Sequence, residues 1–206
     1  MSQHDIVPID IPDATRQPSA YVQALTDTLG DRDPLQVYTA TTTTIGDLCA
    51  GLSDAQWHAR LADGEWTAAQ ILGHLLDVDI VYGFRWRLVL TEQAPAYPGY
   101  NEKLWSELPQ PEPAALLNAL HGLRAANIAL LRGIDARDWT REGIHAEQGP
   151  EPFQLLVAKI AGHDLAHLNQ LARTVAVARS ASRSSPASVG PQSDLVRPSS
   201  SRGLPG

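Results

Sequence analysis

Apolar residues recur at three- and four-residue intervals along four long stretches of the chain, and helix start and stop signals bracket each stretch. The first, DPLQVYTATTTTIGDLCAGL, opens with Asp33 as a cap, Pro34 at the first helical position and Gln36 at capping-box spacing. Its run from Thr41 to Thr44 is a weak helix former. The second stretch starts at WTAAQ, where Thr67 and Gln70 make another capping box, and runs to about Glu92 before APAYPGY breaks it. Its stripe is Ile71, Leu75, Val78, Tyr82 and Val89. The third follows PQPEP and carries Leu116, Leu120, Leu123, Leu130 and Leu131 toward a stop near Gly133. The fourth opens at EPFQLL, with Pro152 in its first turn, and extends to about Arg179. No comparable strand alternation occurs, and TREGIHAEQGP, residues 140–150, predicts at most a short turn or hairpin. Four long amphipathic helices predict an all-α fold, a four-helix bundle.

The two ends fall outside this pattern. Residues 1–32 carry Pro8, Pro12 and Pro18 among polar residues, with a periodic piece around YVQALTDTL, and predict a flexible segment with one short helix packed on the outside. Residues 180–206 are dominated by Ser, Pro, Gly and scattered Arg; they cannot bury enough apolar surface to offset ordering entropy, which predicts a disordered tail. The bundle then spans residues 33–179, a normal size for one domain. A content of 43% hydrophobic and 19% charged residues is that of a soluble globular chain. The net charge of -7 argues against a nucleic-acid binder, which would show a basic face. MSQHDIVPID lacks the regions of a signal peptide, and no apolar run approaches the roughly 20 residues that span a bilayer. The single cysteine, Cys49, cannot form an internal disulfide. The expected location is the cytoplasm, with no membrane and no nucleic-acid partner.

Within the fourth stretch, IAGHDLAHLNQL sets two imidazoles where leucines would pack better. The inward stripe there runs Leu156, Ile160, His163, His167, Leu171, and on the second stretch His74 lies between Ile71 and Val78. Three imidazoles thus face one interior. Residues four apart on a helix are separated by about 6 Å along its axis, which lets two ring nitrogens converge on one ion, and a facing helix supplies the third. Three ligands leave coordination positions open, as a catalytic metal requires. Spacing alone leaves a second reading open, in which these are core histidines bonded to carbonyls or carboxylates.

The segments GLSDAQWHARLADGEWTAAQILGHLLDVD, FRWRLVL, YNEKLW and DWTREGIHAEQGPEPFQLLVAKIAGHDLAHLNQL resemble, in order and spacing, the DinB-like (DinB/YfiT) superfamily of metal-binding four-helix bundles. The similarity spans about residues 35–178. Its most specific features are GEWT at the entry to the second helix, the His seven residues after that Thr, and the terminal GHDLAHLNQL. The resemblance implies a divalent metal held by His74, His163 and His167. It also implies thiol-dependent S-transferases and isomerases, using bacillithiol or mycothiol, among the relatives. The name is shared with a DNA polymerase family, which nothing in this chain resembles.

The expected function is therefore metal-dependent transfer of a small thiol, glutathione included, to a small-molecule electrophile. A hydrolase using metal-bound water and a non-catalytic metal-binding or dimerising bundle are the alternatives. Zinc, nickel and iron all suit three imidazoles, and the resemblance leaves room for a homodimer. Transfer is favoured because the residue after His163 is Asp164, about 100° away around the helix and turned toward solvent or a neighbouring helix, so no glutamate base accompanies the pair. Asp77, one turn from His74, is the remaining candidate base or proton acceptor. Arg85, about three turns on, is placed to meet a substrate carboxylate. Gln170 is a candidate donor beside His167, and Tyr97, Tyr100, Asn101 and Trp105 occupy a loop where a lid over the bundle mouth would lie. Trp57 and Trp66 are assigned to the core, His4, His58 and His121 to surface or core, and Cys49 to a small core position. His145 matches a recurring family position before the fourth helix, with no derivable role.

Overall fold

The computed structural model describes residues 9–184. Four long helices form the bundle: α2 (Pro34–Cys49), α4 (Ala68–Thr91), α6 (Pro113–Gly133) and α7 (Phe153–Ser184), with α1 (Pro18–Leu29) packed against α7 and short helices α3 (Asp54–Trp57) and α5 (Glu102–Ser106) in the connections. Local chemistry sets the starts. Asp33 accepts from the Gln36 amide at 2.7 Å ahead of Pro34. Thr67 and Gln70 form the reciprocal box that opens α4, both bonds at 3.1 Å. The threonine run does not interrupt α2: Thr39, Thr42 and Thr44 bond back to carbonyls four residues earlier, while Thr41 turns inward.

The expected hairpin at 140–150 is present as β2 (Glu142–His145) paired antiparallel with β3 (Gly149–Pro152). A third strand, β1 (Ala96–Tyr97), joins β2 in parallel. This small sheet closes one end of an otherwise all-α molecule. α7 runs through Ser184, about one turn beyond the predicted end, and the predicted tail from residue 185 lies outside the described residues, as do residues 1–8. By length and composition α6 is long and apolar enough to cross a membrane, which corrects the expectation that no run approaches that length. Here it packs against α2 and α4 and carries Arg124 and Asn127 into the interior.

The interior has two apolar layers. One gathers Tyr38, Val78, Tyr82, Trp86, Ile128, Phe153 and Ile160, and the other Ile45, Ile71, Leu75, Leu116, Leu120, Leu171 and Val175. Charge lies at their junction. Arg124 on α6 donates from Nε to Asp79 on α4 at 2.6 Å and from Nη2 to Asp164 on α7 at 2.7 Å, all three side chains being fully buried. From α2, Tyr38 donates to Asp79, and Thr41 donates to Asp164 at 2.7 Å while accepting from Arg124 at 3.1 Å. Asn127 donates to the Asp79 carbonyl at 3.2 Å. Asp164, expected to face solvent or a neighbouring helix, meets the neighbouring helix through this ion pair. Burial raises the Asp79 carboxyl to about 6, against the pull of Arg124. Because removing the cation leaves two buried carboxylates without a counter-charge, Arg124→Met is expected to cost about 3–5 kcal/mol in urea unfolding.

α1 reaches α7 through a glycine. A Cβ at Gly162 would overlap the Leu25 carbonyl oxygen and lie 2.7 Å from its carbon, so only the absent side chain lets the two backbones meet. Tyr21, Leu25 and Leu29 are buried in this contact. Gly162→Ala is expected to push α1 off, lowering stability by about 1–3 kcal/mol and raising amide exchange across Tyr21 to Leu29 more than across α4.

Candidate metal centre

His74 from α4 and His163 and His167 from α7 meet at the level of the charged junction. Ring centroids lie 5.0 Å (His74 and His163), 4.6 Å (His74 and His167) and 4.3 Å (His163 and His167) apart. One ligand nitrogen from each falls within 4.8 Å of the others, and the Nε2 atoms of His74 and His163 are 3.0 Å apart. Burial is the largest cause holding all three imidazoles below their ordinary pKa, and the neighbouring imidazoles add to it for His74 and His163. They therefore stay neutral at pH 7 and present lone pairs. Nδ1 of His167 donates to Gln170 Oε1 at 2.9 Å, which leaves its Nε2 as the ligand atom. Gln170 is thus an acceptor that orients a ring, where a donor to substrate was expected. His163 Nδ1 is buried with no partner among the described residues. Three neutral nitrogens converging from two facing helices fit a divalent transition ion.

Trp66, assigned to the core from sequence, is half-buried and lies against this cluster, 4.9 Å from His74 and stacked at 6.1 Å on His167. The GEWT entry to α4 therefore both caps the helix and covers the histidines. The remaining cores read from sequence hold: Trp57 and Cys49 are buried, and burial pushes the Cys49 thiol up to about 12, away from nucleophilic use. His58 is exposed and its ring meets the Asp54 carbonyl.

A cavity of about 640 Å³ opens beside the cluster, lined by His163 and His167. Arg85, Tyr100 and Asn101, named from sequence as substrate-binding candidates, line it; Asn101 also caps α5 by accepting from the Leu104 amide at 3.0 Å. Asp77 and Gln170 are not among its lining residues. Asp77 is half-buried, its carboxyl raised by burial. The structure adds residues that the sequence did not single out: Glu102, Lys159 and the segment from Ile11 to Thr15. His145 joins them from the hairpin. Tyr97 is buried in β1 and donates to Glu151 at 2.9 Å, and Glu151 pairs with Lys159. Trp105 packs on Tyr100 at 4.9 Å.

A four-helix bundle with a three-histidine centre between two of its helices is the architecture of a metal-binding bundle protein. Residues 37–171 match the DinB superfamily, and the chain belongs to that superfamily. It is 32% identical over 136 residues to "Putative metal-dependent hydrolase YfiT" of Bacillus subtilis, covering 59% of this chain and 72% of that protein. It is likewise 32% identical over 132 residues to "Putative metal-dependent hydrolase GK0616" of Geobacillus kaustophilus, covering 60% and 71%. The solved structure of the Bacillus subtilis protein, described as "a probable metal-dependent hydrolase with an unusual four-helix bundle topology", aligns with a TM-score of 0.62 at 28% identity, over 68% of this chain and 84% of that one.

Burial of neutral imidazoles makes stability pH-dependent. In the unfolded chain a histidine takes a proton below about 6.5, whereas His145 resists to about 4, because burial and then the Arg85 charge oppose it. The unfolded state therefore binds more protons across this window, and stability present above pH 6.5 is lost as pH falls toward 4. Asp79, raised to about 6, acts in the opposite direction. The urea midpoint of the metal-free protein is expected to fall between pH 7 and pH 5, less steeply in His145→Asn, whose difference from wild type isolates the imidazole.

Proposed function

We propose that the chain is a divalent-metal-dependent hydrolase of small molecules, with His74, His163 and His167 holding the ion. The observation that carries this reading is the convergence of three neutral imidazoles within 4.8 Å beside a cavity. The names of the relatives support it. Bound there, a divalent ion supplies Lewis acidity and lowers the pKa of water toward neutrality. The surrounding side chains do the positioning. Gln170 holds the His167 tautomer. Asp164, tied to Arg124, sets the rotation of α7 that turns His163 and His167 to the cavity. Trp66 shields two of the rings on one side.

Glu102 supports hydrolysis over thiol transfer. It lines the same cavity as His163 and His167, and burial, with Asp13 nearby, raises its carboxyl above the ordinary carboxylate range, which makes it a stronger proton acceptor than an exposed glutamate. Transfer was favoured from sequence for want of a base beside the His pair; the cavity contains one, contributed by a connection between helices. Attack by water benefits from such a base, whereas loss of a thiol proton to solvent does not need it.

Protein loaded in turn with zinc, nickel or iron, and assayed on chromogenic esters and anilides with and without bacillithiol, mycothiol or glutathione, tests this reading. About one ion per chain is expected, with turnover independent of thiol and both lost in the triple His→Ala protein. Gln170→Leu is expected to weaken metal binding about tenfold. Glu102→Gln is expected to lower turnover about 100-fold with metal content unchanged. Turnover only with a thiol would establish the transferase instead, and full metal content in the triple variant would remove the histidines from the metal site.

A further inference from the structure

Among the described residues Arg85, Arg124 and Lys159 are buried cations, and they are not treated alike. Arg124 has Asp79 and Asp164, and Lys159 has Glu151. Arg85, 4% exposed, has no carboxylate within ion-pair distance among the described residues. Glu102 shares the cavity and feels the Arg85 charge without forming an ion pair. An uncompensated buried charge is expensive, and this one is held in place: Arg85 Nη2 donates to the Pro98 carbonyl at 2.8 Å, and the guanidinium lies 4.9 Å over the Tyr97 ring.

Its other neighbour makes the case more specific. His145 Nδ1 sits 3.1 Å from the Glu147 amide and 3.3 Å from the Gln148 amide. Backbone amides only donate, so Nδ1 is the acceptor and the proton of the neutral ring is on Nε2. That Nε2–H faces Arg85 Nη2 at 3.2 Å, and a guanidinium also only donates. Two donors therefore face one another with no acceptor between them. A third group in the same cavity lacks a partner as well: the Tyr100 hydroxyl is buried, with no hydrogen bond among the described residues.

We propose that Arg85, His145 and Tyr100 receive one carboxylate group of the substrate, whose oxygens give His145 and Tyr100 the acceptor they lack and give Arg85 its counter-charge. Resting on the hydrolase reading, this makes the substrate class small monocarboxylates that carry the reacting bond toward the histidine cluster. Arg85 is the buried cation of the lining without an ion pair among the described residues, which matches one negative charge; Asp13, Glu102 and Glu147 against Lys103 and the Glu151-paired Lys159 leave no positive excess for a dianion such as a phosphate monoester. The planar guanidinium fork matches a carboxylate in two-point contact.

The test reads binding to the metal-free full chain, so it remains interpretable if hydrolysis fails. Benzoate, hippurate and 4-phenylbutyrate are titrated by calorimetry, each beside its methyl ester, with phenyl phosphate as the dianion. At least one acid is expected to bind about tenfold more tightly than its ester. Arg85→Gln is expected to abolish that preference, and Arg85→Lys to restore only part of it. Tyr100→Phe, the variant to use if Arg85→Gln does not fold, is expected to weaken the acid about threefold and leave the ester unchanged. Equal binding of every acid and its ester, an undiminished preference in Arg85→Gln or in Tyr100→Phe, or tighter binding of phenyl phosphate than of benzoate would overturn the proposal. Loss of turnover with the acid preference intact would instead count against the hydrolase reading alone.

Discussion

Arg124 holds Asp79 and Asp164 at the same time, and with Tyr38 and Thr41 this places a hydrogen-bonding residue from every bundle helix in one buried cluster. Apolar layers alone would tolerate a helix sliding or turning, since leucines and valines pack in more than one register. A guanidinium between two carboxylates tolerates neither, because a displaced partner leaves a charge buried without compensation. The cluster therefore fixes the rotational phase of α7 about its axis. His163 is the residue before Asp164, so the same constraint that aims the carboxylate at Arg124 aims the imidazole at His74.

The histidine centre inherits its order from that arrangement. Its rings are shielded by Trp66 and oriented on one side by Gln170, and burial keeps them neutral. The charged layer and the imidazole layer are neighbours on α7 but differ in what they ask of the fold. One is satisfied internally, and the other leaves His163 Nδ1 without a partner and the nitrogens converging on a common point. The cavity shows the same contrast in its cations, between the paired Lys159 and the unpaired Arg85.

Much of this was legible in the chain. Capping boxes and the 3.6-residue stripe placed α2, α4, α6 and α7, and the spacing of His163 and His167 with a third imidazole on a facing stripe marked the centre. What escaped was tertiary. Asp79, Arg124 and Asp164 have the residue types of solvated helix faces, and only the meeting of three helices makes them interior; on α6, Leu123 belongs to the apolar repeat yet is half-buried, while Arg124 and Asn127 are buried. Glu102 and His145 reach the cavity from a connection and a hairpin, whose positions no periodicity encodes. A two-residue strand such as β1, pairing in parallel with β2, carries too little pattern to be read.

The family match begins at residue 37, but the molecule's working unit begins earlier. Ile11 to Thr15 form part of the cavity wall, and α1 is seated on Gly162, immediately before His163. The matched stretch contains the three histidines and the ion-paired layer. The side of the cavity facing α1 is written in residues that precede the common domain. A fragment trimmed to the matched boundaries would keep the histidines and the ion-paired layer and lose a wall of the cavity.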